Sequence, residues 1–329
     1  NACLTYIFNL FKINVIKTEG LYNMKHLIVA NFSAGTNKDP EAFKAKITEA
    51  FEGLDYEIYA TTGPRSCVPF LKEYCSKHKK DTVRVYACGG DGTIHEVVDG
   101  IIGFPNVELA IIALGTGNDF VKIYGGKEKF QDFKVMINSG AKPIDISKLT
   151  STRFEEPWYS INVINFGFDA MVGAIGNKNK LKGKKDPYGF GNAIVPSLVH
   201  GRFNKIILAA DGEKLNKDKL LLGSVAQGQW IGGEYHASPK SVNNDGLLDV
   251  CVVKPMTLFG LLLGLFGKYH DGKHLDDKGL AKKIVYRQAK VVDITCPSDI
   301  DVCVDGEMIR GDNFKVEILP AALKLVIPQ

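Results

Sequence analysis

Gly89-Gly90-Asp91-Gly92-Thr93 is the stretch of this chain whose residue types and spacing most directly suggest chemistry. It stands between a strand-like run, Val83 to Ala87, and a segment in which Ile94, Val97, Val98, Ile101 and Ile102 recur at helical spacing. Glycines at such a junction let main-chain amides approach phosphate oxygens closely, and the start of the following helix adds the positive end of its dipole. Asp91 would repel a bare phosphate unless it works through Mg²⁺, water or a ligand hydroxyl, which points to a nucleotide rather than an inorganic anion. Taken alone, a glycine-rich strand-to-helix turn proves only α/β architecture.

A second loop, Leu114-Gly115-Thr116-Gly117-Asn118-Asp119-Phe120, comes after another buried run, Leu109 to Leu114. In an open parallel sheet the carboxyl ends of neighbouring strands converge on one crevice, so the two loops are expected to face the same ligand. Neither loop contains GxxxxGK[ST] or GxGxxG, and the P-loop NTPase and nicotinamide-dehydrogenase readings lose their main support.

The elements that must position these loops alternate between strand and helix. Leu27 to Ala30 reads as a strand, Pro40 to Gly53 as a helix, Tyr56 to Ala60 as a strand and Val68 to Lys77 as a helix, the pattern of a parallel sheet covered by helices. After Pro143-Ile144-Asp145-Ile146 the texture changes to strand-length runs separated by turn signals. These are Tyr159 to Phe166, Lys205 to Ala210, Leu220 to Ala226, Leu247 to Val253, Ile284 to Arg287, Lys290 to Thr295, Asp301 to Val304 and Phe314 to Leu319. Such a series predicts an antiparallel sandwich or barrel-like second domain. Asn177 to Lys185, rich in lysine and without an acid, reads as a solvated loop.

Composition sets the outer bounds. The 329 residues suffice for two domains, and 45% hydrophobic with 24% charged residues is ordinary globular usage, which excludes disorder and fibrous repeats. A net charge of +4 gives no argument for nucleic acid and is compatible with an anionic surface. Seven scattered cysteines fit a reducing compartment better than a disulfide scaffold, and no CxxC or HExxH supports zinc. The longest apolar run, Leu258 to Phe266, is about half the roughly 18 residues that a spanning helix needs. Residues 1–23 precede Met24, which is read as the natural start; the segment lacks a basic n-region and is taken as a non-native or upstream extension.

Taken together, these segments resemble the soluble diacylglycerol-kinase-type lipid kinases, which include bacterial diacylglycerol kinases and the sphingosine and ceramide kinases. The resemblance runs over nearly the whole chain from Met24. It is carried by Gly89 to Thr93 with Glu96-Val97, by Gly115-Thr116-Gly117-Asn118-Asp119-Phe120 and by Asn165-Phe166-Gly167-Phe168-Asp169, then by Asn244-Asp245-Gly246-Leu247-Leu248-Asp249 and Val304-Asp305-Gly306-Glu307. The first motif is shared with NAD kinases and, more loosely, with phosphofructokinases. The ordered set is more specific.

The resemblance implies an α/β plus β fold: a three-layer Rossmann-like, NAD-kinase-like nucleotide domain over residues 24–147, and an antiparallel β-sandwich lipid-substrate domain over 148–319. The last strand, about 320–329, returns to the first domain, and the active site lies in the cleft between the two. ATP contacts fall to Asn31, Thr61, Gly89, Gly90, Asp91, Gly92, Thr93, Ile94, His95 and Thr116, with Asp119 and Asp145 around the nucleotide and its metal-water network. Mg²⁺ is assigned to the Asp245 carboxylate and the main-chain oxygens of Val242 and Leu247, and proton acceptance to Glu307. The activity so implied is that of an ATP- and Mg²⁺-dependent kinase phosphorylating diacylglycerol or a related lipid, cytoplasmic and in peripheral contact with the membrane, with a homodimer left open.

The chain departs from the family pattern in several places. The early Asn-Pro-x-Ser-Gly-Lys stretch reads Asn31-Phe32-Ser33-Ala34-Gly35-Thr36, so its lysine is absent or displaced to Lys38, or replaced from among Lys178 to Lys185. His95 stands in place of asparagine, and Gln227-Gly228 in place of Asn-Gly. Without the family, Asp145 and Asp169 read as turn or capping carboxylates, and Asp245-Gly246 and Asp305-Gly306 as ordinary turn dipeptides. Met256 to Gly267 is either a membrane-facing segment or a helix packed on the second domain, and packing is the favoured reading because the run is nearly all apolar. The rivals are an NAD-kinase-like enzyme and a non-catalytic nucleotide- or lipid-binding protein of the same fold.

Overall fold

The computed structural model describes residues 24–34, 39–185, 188 and 190–329. The expectations about residues 1–23 and about Lys38 lie outside the described residues. The chain divides into two compact units. One takes the chain up to Thr116 with Gly126–Pro143 and Leu323–Gln329, and the other takes Gly117–Gly125 with Ile144–Ala322.

In the first unit β1 (Met24–Ala30), α1 (Pro40–Ala50), β2 (Tyr56–Ala60), α2 (Cys67–Lys77), β3 (Thr82–Gly89), α3 (Asp91–Ile101) and β4 (Val107–Ala113) succeed one another in strict alternation. The strands are parallel in the order β2-β1-β3-β4. Central strands with helices over their faces must be apolar throughout, which is why β3 is buried from Val83 to Gly89 and β1 is almost wholly inside. β2, at the edge, is half exposed. Helix α1 starts where Asp39 accepts the amides of Glu41 and Ala42 and Pro40 occupies the first turn. Arg84 is buried, pairs with Glu108 at 2.7 Å on the neighbouring strand, and donates to the carbonyls of Met136 and Ile137 at the end of α4 (Phe133–Asn138).

The second unit is a pair of β layers. Its strands are β5 (Ala141–Thr150), β6 (Trp158–Ser160), β7 (Val163–Gly167), β8 (Ile207–Ala210), β9 (Glu213–Lys214), β10 (Leu222–Ala226), β11 (Leu248–Val253), β12 (Ile284–Ala289), β13 (Val291–Thr295), β14 (Ile300–Val304), β15 (Glu307–Gly311) and β16 (Phe314–Val326). One layer is antiparallel in the order β12-β11-β10-β7-β14-β15. The other pairs β8 with β9 and β13, and β13 with residues 314–317 of β16. Ile164, Phe166, Val225, Val250 and Val302 from the first layer share one core with Leu208, Val292, Ile294 and Phe314 from the second. Helix α5 (Phe168–Leu181) leaves the end of β7.

Three expectations from sequence need correction. Tyr159 to Phe166 is two strands, β6 and β7, paired to different partners, because the chain turns at Ile161 and Asn162. Asn177 to Leu181 is the last turn of α5 rather than loop; lysine is a good helix former, and Lys178 is exposed. The helical stretch over 258–270 does pack, through Leu261, Leu265 and Tyr269, but it is two-faced, with Leu258, Phe259 and Leu263 exposed.

Helices α2 and α3 cross where Gly100 leaves no room for a side chain: a Cβ there would lie 2.7 Å from Leu71 Cβ. Gly100→Ala gains at most about 1 kcal/mol of helix propensity and loses about 1–3 kcal/mol to overpacking. We expect a lower melting temperature by circular dichroism. An unchanged or raised value would show that the two helices can part at no cost.

Candidate nucleotide and metal site

In the first unit, the carboxyl ends of four parallel strands bring the glycine loops together. The amide of Asn31 donates to Cys88 O and that of Thr61 to Ala30 O, each at 3.0 Å, so both residues sit where β1 and β2 end. Gly89 closes β3 and Gly90 caps α3. A Cβ on Gly89 would fall 2.3 Å from Thr93 Oγ1, and that hydroxyl accepts from Asn31 Nδ2 at 3.1 Å. The Gly89 carbonyl accepts from Leu114 N at 2.9 Å and Gly115 N at 3.2 Å, and a Cβ on Gly90 would touch Gly115 Cα at 3.4 Å. The loops after β3 and β4 therefore meet, as the parallel topology predicts.

Around them Asp91 and Gly92 are half-buried, Thr116 is exposed, and Thr93 and Ile94 are buried. His95 is fully buried, 3.7 Å from Asp99, which Arg65 holds at 2.9 Å. Its imidazole thus lies inside the unit rather than at the loop rim.

In the second unit three carboxylates are engaged with backbone amides. Asp119 takes the Gly233 amide on both oxygens, at 3.1 and 3.0 Å, and Lys122 Nζ at 2.6 Å. Asp145 takes Gly246 N at 2.7 Å and Ala321 N at 2.8 Å, while its own amide donates to Asn243 O. It thereby pins the loop over 242–247. Asp305 is buried and accepts from Ser160 Oγ and the amides of Ile161, Asn162 and Val163. Asp305 and Gly306 both have positive φ, +50° and +96°, the two-residue hairpin turn that pairs Val304 with Glu307. Glu307 opens β15 with its side chain exposed.

The loop over 242–247 offers hard oxygen donors. Gly246 turns it at φ +75°, Val242 and Asp245 are exposed, and Asp245 accepts from Leu247 N and Gln288 Nε2. The Leu247 carbonyl takes Gln227 Nε2 at 2.8 Å and keeps a second lone pair. Behind the loop, Asp249 is fully buried; one oxygen accepts the Tyr286 hydroxyl and the other has no hydrogen-bond partner among the described residues. Burial first, and the neighbouring Asp245 charge in smaller part, raises the Asp249 carboxyl above its usual range. A divalent cation on this loop would offset that excess of negative charge, so the residues fit Mg²⁺. In the sequence Asp249 stands only as a letter of its motif, and Asp305-Gly306 reads as a turn dipeptide, which the hairpin bears out; nothing local shows what the Asp305 carboxylate clamps.

An α/β unit with nucleotide-type glycine loops and a separate β-sandwich unit define an NAD-kinase-like kinase architecture. Residues 25–149 match the family of the diacylglycerol kinase catalytic domain, and residues 162–327 match the YegS C-terminal NAD kinase beta sandwich-like domain. The chain belongs to this diacylglycerol-kinase-catalytic-domain, YegS-like family of lipid kinases. It is similar to the lipid kinase YegS of Escherichia coli strain K12, 28% identical over 289 residues that cover 84% of this chain and 88% of the relative. In fold it is similar to a diacylglycerol kinase structure from Bacillus anthracis strain Sterne, with TM-score 0.65 and 23% identity, covering 93% of this chain and 97% of that one. Membership implies ATP as the phosphoryl donor. No helix among the described residues is long and apolar enough to cross a membrane.

Two consequences can be measured. Asp169 is half-buried, accepts from Tyr269 Oη at 2.8 Å, and desolvation pushes its carboxyl up to about 6. Between about pH 4 and pH 6 the folded chain holds a proton that the unfolded chain has released, so stability falls as pH rises through that window, by up to about 3 kcal/mol. Asp169→Asn is expected to flatten that slope in urea unfolding, and an unchanged slope would refute the assignment. Asp305→Ala leaves a buried hydroxyl and three amides without their acceptor and is expected to cost at least about 3 kcal/mol, read from the same unfolding curves. A loss below about 1 kcal/mol would show that water replaces the carboxylate.

Proposed function

We propose that the chain is an ATP- and Mg²⁺-dependent lipid kinase that moves the γ-phosphoryl group of ATP to the hydroxyl of diacylglycerol or a related lipid alcohol. The product is phosphatidic acid or the corresponding lipid phosphate, made at the cytoplasmic face of a membrane. One observation carries the reading: Gly89 O ties the two glycine loops together while Asn31 holds Thr93, giving a backbone cradle at the end of four parallel strands. The relatives' names, a lipid kinase and a diacylglycerol kinase, support the choice of acceptor.

In this reading the amides of Gly89 to Ile94 and the Asn31, Thr61 and Thr116 side chains bind and orient the triphosphate. Asp91 acts through a water or a ligand hydroxyl, since a direct approach to phosphate would be repulsive. Asp119 and Asp145 serve as positioning residues, holding the backbone at Gly233 and at the loop over 242–247. That loop would hold Mg²⁺ through Asp245 and the main-chain oxygens of Val242 and Leu247, where the cation would supply positive charge to offset the loop's own carboxylates. Glu307 accepts the proton of the lipid hydroxyl as its oxygen bonds to the γ-phosphorus and the bond to the bridging oxygen of ADP breaks; the proton then passes to solvent. Its exposure at the head of β15, on a turn that Asp305 holds rigid, suits a base that must meet an incoming alcohol.

The deciding experiment supplies labelled ATP with a panel of diacylglycerol, ceramide, sphingosine and NAD, and tracks the label. Label in a lipid is expected. Label in NAD, or in no acceptor, overturns the proposal. Glu307→Gln is expected to lower kcat by about 10²–10⁴-fold with little change in the KM for ATP. Parent-like turnover would remove Glu307 from the chemistry.

A further inference from the structure

We infer that Arg65 is a positioning residue for the nucleotide: through its ion pair with Asp99 it locks the loop that carries Thr61 onto helix α3. The inference rests on the kinase reading and adds to that site two residues that stand outside its motifs.

The cradle is made by loops at the ends of four parallel strands, and each loop has to be fastened to the rest. Asn31, where β1 ends, is fastened to α3 by its bond to Thr93, and the loop after β4 is fastened by the Gly89 carbonyl. The loop after β2 closes on itself. Thr62 N donates to Ser66 Oγ at 3.1 Å, Ser66 N to Gly63 O at 3.2 Å, and Tyr59 Oη to Ser66 O at 2.9 Å. These bonds give the loop its shape but do not fix where it stands relative to α3. Arg65 supplies that link, with Nη1 2.9 Å from Asp99 Oδ2 on the helix. Cys67, which opens α2, adds a weaker contact to Glu96 at 3.5 Å.

Two features separate this pair from ordinary surface charge. Arg65 has φ +59°, a left-handed conformation that glycine adopts freely and a long side chain rarely takes. Strain kept at one position of a loop points to a use for the side chain there. The Asp99 side chain is only 4% exposed, and a buried carboxylate is strongly destabilising when its partner is removed. The same Asp99 oxygen lies 3.7 Å from Nε2 of the fully buried His95. Asp91, His95 and Asp99 follow one another at four-residue steps and so share one side of α3, a stripe that begins at the cradle and ends at Arg65. The ion pair therefore joins the loop bearing Thr61 to the helix bearing Asp91 and Thr93.

The test is titration calorimetry of ATP in excess Mg²⁺ with the full chain and no lipid. Arg65→Gly leaves the backbone free to keep its positive φ, and we expect it to weaken ATP binding about tenfold. Asp99→Asn keeps the shape of the side chain without its charge and should weaken binding by a similar factor, which serves if the first variant fails to fold. Arg65→Lys, which retains a cation within reach, should stay within about threefold of the parent. Thr61→Ala is expected to weaken binding on its own, and adding Arg65→Gly should then cost little more, whereas independent effects would multiply to about a hundredfold. In the lipid phosphorylation assay Arg65→Gly should raise the KM for ATP and leave kcat nearly unchanged. Parent-like ATP affinity in both Arg65→Gly and Asp99→Asn overturns the inference, and so do losses that multiply with Thr61→Ala, as a pair that only stabilises the packing of α2 on α3 would give. In those cases the parent still binds ATP and the kinase reading stands; a parent that does not bind ATP strikes both.

Discussion

The close approach of backbone to backbone at Gly89 is the constraint on which the nucleotide end of the protein rests. With no side chain at that position, Thr93 can come down onto the end of β3, its hydroxyl can receive Asn31, and the Gly89 carbonyl can take two amides from the loop after β4. A single methyl group there would force Thr93 away and separate loops that three adjacent strands deliver to one place. The helix start, the parallel order of the strands and the apolar run through β3 all serve to hold that junction still.

Six of the acids described above fall into two kinds. Asp119, Asp145 and Asp305 accept main-chain amides, reaching across the second unit to Gly233, to Gly246 and Ala321, and to the turn over 161–163. Asp91, Asp245 and Glu307 are half-buried or exposed. A carboxylate that takes several amides is fixed in place and also fixes the backbone it takes, which is a means of holding a loop to the tolerance that phosphoryl transfer requires.

Much of this is legible in the residues. The alternation of short apolar runs with helical spacing yields the parallel unit, and the ordered motifs yield the family and its β-sandwich half, because both signals are local or nearly so. What escapes is long-range. The break between β6 and β7 depends on Asp305, more than 140 residues further on, so Tyr159 to Phe166 reads as one strand. The clamp that Asp145 places on Gly246 spans 101 residues, and no window of sequence contains both ends. The helix over 258–270 is misread for a different reason: when nearly every residue in a window is apolar, periodicity has nothing to contrast with, and only packing shows which face stays out.

Strand β16 has a consequence for how the polypeptide comes off the ribosome. Its early residues pair with β13, but Lys324 and Leu325 pair with β4, so the first unit receives its last strand only after every residue of the second has been made. Until then the flank of β4 is an open row of amides and carbonyls, the kind of edge that recruits other chains. The nascent protein must therefore carry an incomplete nucleotide sheet through most of its synthesis, and the step that closes that flank is a contact between residues more than 200 positions apart.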